Sequence, residues 1–293
     1  MRKYLLIDIG GTAIKVATYS SSMSKVLEYP TDAKKGAKNL IKTVSNIIDQ
    51  YEDIDGISIS TAGQVDSEKG YIIYANENMP GYTGTKWKQL LEKKYKVPVF
   101  VENDVNAAAL GEKYFGAAKG ADDFLCLTYG TGVGGAIVIN GDIYRGFSGS
   151  AGEFGALLIH GDKHLKNKPF SGGYEKYAST TALVNKVKEY NPKLNNGRLI
   201  FSNLKDKKVR KLFDEWTNEI VLGLVSLIHL FNPEVIVLGG GIMEQDILFE
   251  QIKKETYKQI MDSYKKVKIK KAKLGNKAGL YGALSRIQKE IKI

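Results

Sequence analysis

The sequence predicts an α/β protein of two lobes, and three observations carry that reading. Short apolar runs of four to six residues, the length of buried strands, alternate with longer stretches of helical periodicity. Each run ends close to a glycine, asparagine or aspartate, as strands in a sheet interior do. A strand–glycine-turn–strand unit occurs twice, once at the start of the chain and once near its middle.

The strand pattern covers Tyr4–Ile9, Gly56–Ser60, Val97–Val101, Phe124–Thr128 and, later, Val235–Leu238. Helical periodicity covers Lys38–Tyr51, Lys86–Tyr95, Val105–Phe115 and Asp214–Phe231. The last is apolar nearly all round, at Ile220, Leu222, Leu224, Val225, Leu227, Ile228 and Leu230, which predicts a buried helix. The repeated unit reads Leu5-Leu-Ile-Asp-Ile-Gly-Gly-Thr12 and Leu127-Thr-Tyr-Gly-Thr-Gly-Val-Gly-Gly135. Two such hairpins, each followed by strand-like sequence, predict two lobes facing a central cleft. Small and polar residues at 115–122 mark a boundary. The expected domains are 1–117, joined by a C-terminal helix at about 271–293, and 118–270.

Composition narrows the classes. The chain has 293 residues, 43% hydrophobic and 26% charged, ordinary for a globular protein. Met1 to Ile9 runs almost straight into a strand, and no apolar run approaches the roughly 20 residues of a membrane helix. A cytoplasmic protein without a membrane partner is the expectation. The net charge of +11 is mostly lysine, with little of the arginine that reads phosphates and bases in pairs. A solvated lysine surface, with no nucleic-acid partner, fits that balance. The single cysteine, Cys126, lies in an apolar run and reads as a buried, inert thiol.

Glycine turns suit phosphate because bare backbone N–H groups converge on an anion with no Cβ in the way. Gly130, Gly132 and Gly135 satisfy G-x-G-x-x-G, but a dinucleotide fingerprint needs a helix at the turn. Here Ala136–Ile139 leads into Asn140-Gly141, a hairpin signal, so that reading fails. The G-x-x-x-x-G-K-[ST] motif is absent as well.

Taken together, Asp8-Ile-Gly10-Gly11-Thr12 with Lys15, then Thr128 to Gly135, then Leu238-Gly239-Gly240-Gly241-Ile242 form an ordered set. The set resembles the phosphate-1, phosphate-2 and adenosine motifs of the actin/hexokinase superfamily. Over nearly the whole chain it resembles the ROK (repressor, open reading frame, kinase) family. The resemblance implies an actin/hexokinase-like, ribonuclease H-like fold and an ATP-dependent sugar kinase. It assigns the ATP phosphates to Gly10, Gly11, Thr12 and Lys15, and to Thr131, Gly132 and Gly134. Gly239, Gly240 and Gly241 would border the adenine, and Asp8 would reach the Mg²⁺ carried by ATP, through water. Closure of the lobes would exclude water from the reaction.

Val101-Glu-Asn-Asp-Val-Asn106 closes one strand and opens a helix. From the residues alone Asp104 is either a helix N-cap or a general base. ROK kinases carry their catalytic Asp in a matching Glu-Asn-Asp-x-Asn stretch, which implies that Asp104 is the base and that Asn103 binds the sugar. Gly152-Glu-Phe-Gly-Ala156 resembles the family's Gly-Glu-x-Gly-His, and Glu153 and Glu175 lie 22 positions apart, in the family spacing. Both acids are therefore implied sugar ligands, with Asn78 a further candidate. Carboxylates suit the task because they accept paired hydrogen bonds from vicinal hydroxyls.

The family's zinc ligands are missing. Ala156 stands at the histidine position, and Lys166, Lys168 and Gly173 at the cysteine positions. His160 and His164 remain, without thiolates or an evident carboxylate partner, so no zinc is expected.

Three other readings compete. Sugar-sensing ROK repressors carry an N-terminal helix-turn-helix, for which a first loop at Asp8 leaves no room. A dinucleotide enzyme is opposed by the hairpin after Gly135, and a degenerate kinase that only binds sugar is suggested by the lost zinc ligands alone. The resemblance implies a homodimer and leaves the sugar open among N-acetylmannosamine, glucose and a β-glucoside such as cellobiose.

Overall fold

A computed structural model describes residues 2–291. In chain order it contains β1 (Tyr4–Ile9), β2 (Ala13–Tyr19), β3 (Leu27–Pro30), α1 (Gly36–Ile48), β4 (Gly56–Thr61), β5 (Gln64–Asp66), β6 (Tyr71–Tyr74), α2 (Trp87–Tyr95), β7 (Val99–Asn103) and α3 (Asp104–Phe115). Then follow β8 (Phe124–Tyr129), β9 (Val133–Ile139), β10 (Asp142–Ile143), α4 (Tyr174–Ala178), α5 (Thr180–Tyr190), α6 (Gly197–Ser202), α7 (Lys207–Phe231), β11 (Val235–Gly239), α8 (Asp246–Gln259), β12 (Lys268–Lys271) and α9 (Ala278–Ile291). The C-terminal helix foreseen to residue 293 ends at Ile291, and positions 292 and 293 lie outside the described residues.

Two compact units result. The first holds the chain as far as Gly120, the segment Arg145–Ala151 and the chain from Asn276 onward; the second holds Ala121–Tyr144 and Gly152–Gly275. The seven residues Arg145–Ala151, placed by the sequence reading within 118–270, cluster instead with the first unit.

In the first unit the sheet runs β3-β2-β1-β4-β7. β1 pairs antiparallel with β2 and parallel with β4, and β4 parallel with β7. β1 is apolar on both faces because both are covered. Leu5, Ile7 and Ile9 join Leu40, Val44 and Ile47 of α1, while Tyr4 and Leu6 pack on Leu280, Ala283, Leu284 and Ile287 of α9.

The second unit repeats this order as β10-β9-β8-β11-β12, with β8–β9 antiparallel and β8–β11–β12 parallel. The duplicated glycine-turn hairpin of the sequence is thus the centre of two sheets of like topology. β12 is an edge strand of sequence Lys-Ile-Lys-Lys, and its lysines discourage pairing with another chain.

α7 begins seven residues earlier than its apolar pattern, at Lys207, where the Asp206 side chain accepts from the N–H groups of Lys208 and Val209. It ends at Asn232, in the left-handed conformation, before Pro233. Its buried stripe runs from Val209 to Ile228, but Leu230, expected inside, is 68% exposed.

α3 and α9 meet backbone to backbone. A Cβ on Gly282 would overlap the Ala107 carbonyl. Gly282→Ala is therefore expected to prise the two helices apart and to cost about 1–3 kcal/mol of unfolding free energy. Urea unfolding of the two proteins side by side measures it.

Candidate functional site

In the first unit the strand register lines up Ile9, Thr61 and Asn103 at the carboxyl ends of β1, β4 and β7. Ligands of open α/β sheets bind beyond that edge. Asp8 lies one residue before the end of β1. Its Oδ1 accepts from Ser60 Oγ at 2.8 Å, and Lys15 Nζ stands 3.7 Å from Oδ2. Its carboxylate touches Gly279 in the first turn of α9, where a Cβ would collide with it. Burial raises its pKa above the usual carboxylate value, against the lowering effects of Ser60 and Lys15. The turn after β1 is closed by Gly10 N–H on Ala13 O at 3.1 Å and by Thr31 Oγ1 on Gly10 O at 2.7 Å. Gly11 and Thr12 are exposed at its tip.

Asn103 and Asp104 stand where β7 becomes α3. Asn103 is the N-cap: its Oδ1 accepts from Val105 N at 2.9 Å and Asn106 N at 3.0 Å. Its Nδ2 donates to Gly63 O at 2.8 Å and to Asp104 Oδ1 at 3.0 Å. Asp104 is the first helical residue, where the helix dipole favours a negative charge. Tyr82 lies close enough to feel that charge. Its hydroxyl is 2.6 Å from Thr61 Oγ1 and accepts from Trp87 Nε1 at 2.8 Å. Burial pushes its pKa up to about 12, and the Asp104 charge adds to the rise. Asn78 is exposed in the turn after β6, with its N–H on Asn76 Oδ1.

Arg145 is a residue that the sequence reading missed. Its guanidinium holds Glu102 in a two-point pair, 3.0 Å to Oε1 and 2.7 Å to Oε2, and Glu102 is fully buried. Glu102 Oε1 also accepts from Asn103 N at 3.0 Å and Asn106 Nδ2 at 3.2 Å. The pair spans 43 positions, and no local pattern announces it.

In the second unit the parallel register sets Thr128 opposite Gly239, so the turn after β8 and the glycines after β11 adjoin. Beside them is a pocket of about 370 Å³, lined by Tyr129, Gly130, Thr131, Thr180, Thr181, Val184, Gly241 and Ile242. Among the described residues, the buried Thr180 hydroxyl has no hydrogen-bond partner, a cost that a polar ligand would remove. Thr131, Gly132, Gly134, Gly239, Gly240 and Gly241 all belong to this region.

Glu153 is exposed and precedes the short turn Phe154–Ala156; Glu175 is exposed in the first turn of α4. Glu175 Oε2 accepts from Val133 N at 3.1 Å, so this acid meets the glycine turn directly.

The expectation that His160 lacks a carboxylate partner is corrected. Its Nε2 is 2.7 Å from Glu219 Oε2 on α7, a neighbour 59 positions away that local sequence does not disclose. Among the described residues no group of three or more His, Cys, Asp or Glu could hold a metal ion. Cys126 is buried. No helix among the described residues is long and apolar enough to cross a membrane.

The two sheets and their glycine turns define an actin/hexokinase-like α/β protein. The chain belongs to the ROK family, whose profile matches residues 4–290. It is 31% identical to a beta-glucoside kinase of Listeria monocytogenes, over 98% of each chain. A structure from Listeria monocytogenes, of a protein proposed to be an N-acetylmannosamine kinase, superposes with a TM-score of 0.89 at 29% identity, over 98% of this chain and 99% of that one. A ROK family glucokinase from Streptomyces griseus, solved with glucose and AMPPNP, gives 0.81 at 28% identity, over 96% and 97%.

Two stability predictions follow from the buried charges. A carboxyl whose pKa is raised by folding stabilises the fold below its unfolded pKa and loses that contribution as pH rises through the folded value. Ionised Asp8 is thus a net cost at pH 7. Asp8→Asn is expected to melt at a higher temperature than the parent at pH 7, with the gap narrowing towards pH 4. Thermal melts across that range check the sign. Arg145→Ala leaves the Glu102 carboxylate buried and unpaired, for an expected loss of about 3–5 kcal/mol in urea unfolding. Adding Glu102→Gln is expected to recover most of it.

Proposed function

We propose that the chain is an ATP-dependent sugar kinase that transfers the γ-phosphate to the 6-hydroxyl of a hexose or N-acetylhexosamine. Glucose and N-acetylmannosamine are the first candidates, and a β-glucoside such as cellobiose follows closely. One observation carries the reading: Asn103 takes the N-cap position of α3, and beside it at the carboxyl edge of the sheet Asp104 is oriented through one oxygen, Oδ1, which accepts from Asn103 Nδ2 at 3.0 Å and Val105 N at 2.9 Å. The glucose and AMPPNP of the Streptomyces griseus relative support the same substrate pair.

In this reading Asp104 accepts the proton of the attacking hydroxyl, while Asn103, Glu153, Glu175 and Asn78 hold the sugar. Asn103 Nδ2 on Asp104 Oδ1 fixes the orientation of the base. Backbone N–H groups of Gly10–Thr12 and of Thr131–Gly134, with Lys15, stabilise the charge on the phosphoryl oxygens. The pocket beside Thr180 and Gly241 takes the adenosine.

Mg²⁺ is a hard cation that binds oxygen and keeps several waters, and it would neutralise phosphate charge. Asp8, a carboxylate held by Ser60 at a strand end, suits it through water. Zinc has no matching set of ligands among the described residues.

An ADP-release assay with Mg·ATP against glucose, N-acetylmannosamine, N-acetylglucosamine and cellobiose tests the proposal. Turnover is expected on one of them, and Asp104→Asn is expected to lower kcat by about 10²–10⁴-fold with the fold intact by circular dichroism. Sugar binding without turnover on any of the four would overturn the kinase reading in favour of a sugar-sensing protein.

A further inference from the structure

One short segment, residues 174–180, holds the second glycine turn at three points. At the start of the turn, Thr180 N–H donates to Gly130 O at 3.0 Å. At its end, Val133 N–H donates to Glu175 Oε2 at 3.1 Å. Beneath it, the hydroxyls of Tyr129 and Tyr174 lie 2.7 Å apart, and Tyr174 donates its one proton to Ile220 O, also at 2.7 Å. Tyr129 is therefore the donor of that pair.

Gly132 fits this clamp closely. A Cβ there would strike Glu175 Oε2, and it would lie 2.8 Å from the carboxyl carbon. The acid is exposed, and Oε1 accepts no hydrogen bond among the described residues. One oxygen of the carboxylate is thus engaged with the turn while the other is available to a ligand.

We infer that Glu175 couples the two substrates, with sugar on its carboxylate and phosphate on the adjoining turn each strengthening the other's binding. The inference rests on the sugar-kinase reading of Glu175 and of the Gly130–Gly135 turn. Its physical basis is ordering. A sugar hydroxyl on Oε1 fixes the rotamer of Glu175, which fixes Oε2 under Val133 N–H and sets the turn before phosphate arrives. Phosphate on the turn fixes Val133, which sets the carboxylate before the sugar arrives. Linkage makes the two effects equal. In this reading Glu175 is a sugar ligand and the turn's positioning residue at once.

The coupling is read by titration calorimetry. The dissociation constant of the best-turned-over of the four sugars is measured without and with saturating Mg·ADP, an unreactive nucleotide. The wild type is expected to bind sugar at least about fivefold more tightly with Mg·ADP present. Glu175→Asp, one methylene shorter, cannot hold Val133 while reaching the sugar, and its ratio is expected to fall to about one. Glu153→Gln is expected to weaken sugar binding but keep the wild-type ratio, a split that general loss of structure would not produce. If Glu175→Asp binds too weakly to titrate, Gly132→Ala keeps the acid while displacing it from the turn; loss of the ratio supports the coupling and retention overturns it. A wild-type ratio of one with normal turnover, or an unchanged ratio in Glu175→Asp, overturns the inference alone. Absence of sugar binding in the wild type overturns the kinase reading together with it.

Discussion

Parallel pairing of neighbouring strands is the constraint from which the candidate site follows. β1, β4 and β7 run the same way in register, as do β8, β11 and β12, so their carboxyl ends gather on one edge of each sheet. Parallel strands need long crossovers, which the helices supply. The hairpin partners β2 and β9 run the other way. Each glycine turn therefore sits directly after the central strand, on that same edge. Asp8, Ser60, Asn103 and Asp104 reach the edge of the first sheet by this geometry, and Gly130 and Gly239–Gly241 that of the second.

Placing carboxylates there has an energetic consequence. Asp8 is held by one hydroxyl and a lysine 3.7 Å away, and burial outweighs both, so its ionised form opposes folding. Glu102 is more deeply buried but is matched by a two-point guanidinium and two further donors. The difference separates their roles. Glu102 is satisfied within the protein and orders the start of α3 through Asn103 and Asn106. Asp8 is left under-compensated, the condition in which a cation gains most from binding. The chain passes Arg145–Ala151 into the first unit, and Arg145 is what makes the burial of Glu102 tolerable.

Much of the fold was legible because central strands buried on both faces are apolar at nearly every position, polar residues such as Asp8 and Thr128 falling near their carboxyl ends. Tyr4–Ile9 was read to the residue, and Phe124–Thr128 and Val235–Leu238 to within one. The first two turns of α7 were not, because Lys207, Lys208, Arg210 and Lys211 hide an apolar spacing that only Val209, Leu212 and Phe213 reveal. At the site, residue types announced the carboxylates and the glycines. Their partners stayed hidden for a physical reason. A backbone N–H, as at Val133, is present in nearly every residue and leaves no mark, and the pairs Arg145–Glu102 and His160–Glu219 are made by tertiary folding alone.

The stretch between the two exposed acids is tied together at its neck by the chain's own contacts. Leu158 bridges Gly173, the N–H groups of Ile159 and His160 both reach Gly172 O, and Tyr174 N–H donates to Leu157 O at 2.7 Å. The His160 ring packs 4.4 Å from that of Tyr177 on α4 and bonds Glu219 on α7. These contacts lie at the base of the excursion, while residues 161–170 are exposed throughout. The lysines at 166 and 168 belong to this exposed tip and not to the contacts of the neck. The distance from Glu153 to Glu175 is set by the neck of the loop, and the neck is where a histidine, a carboxylate and an aromatic ring have been brought together.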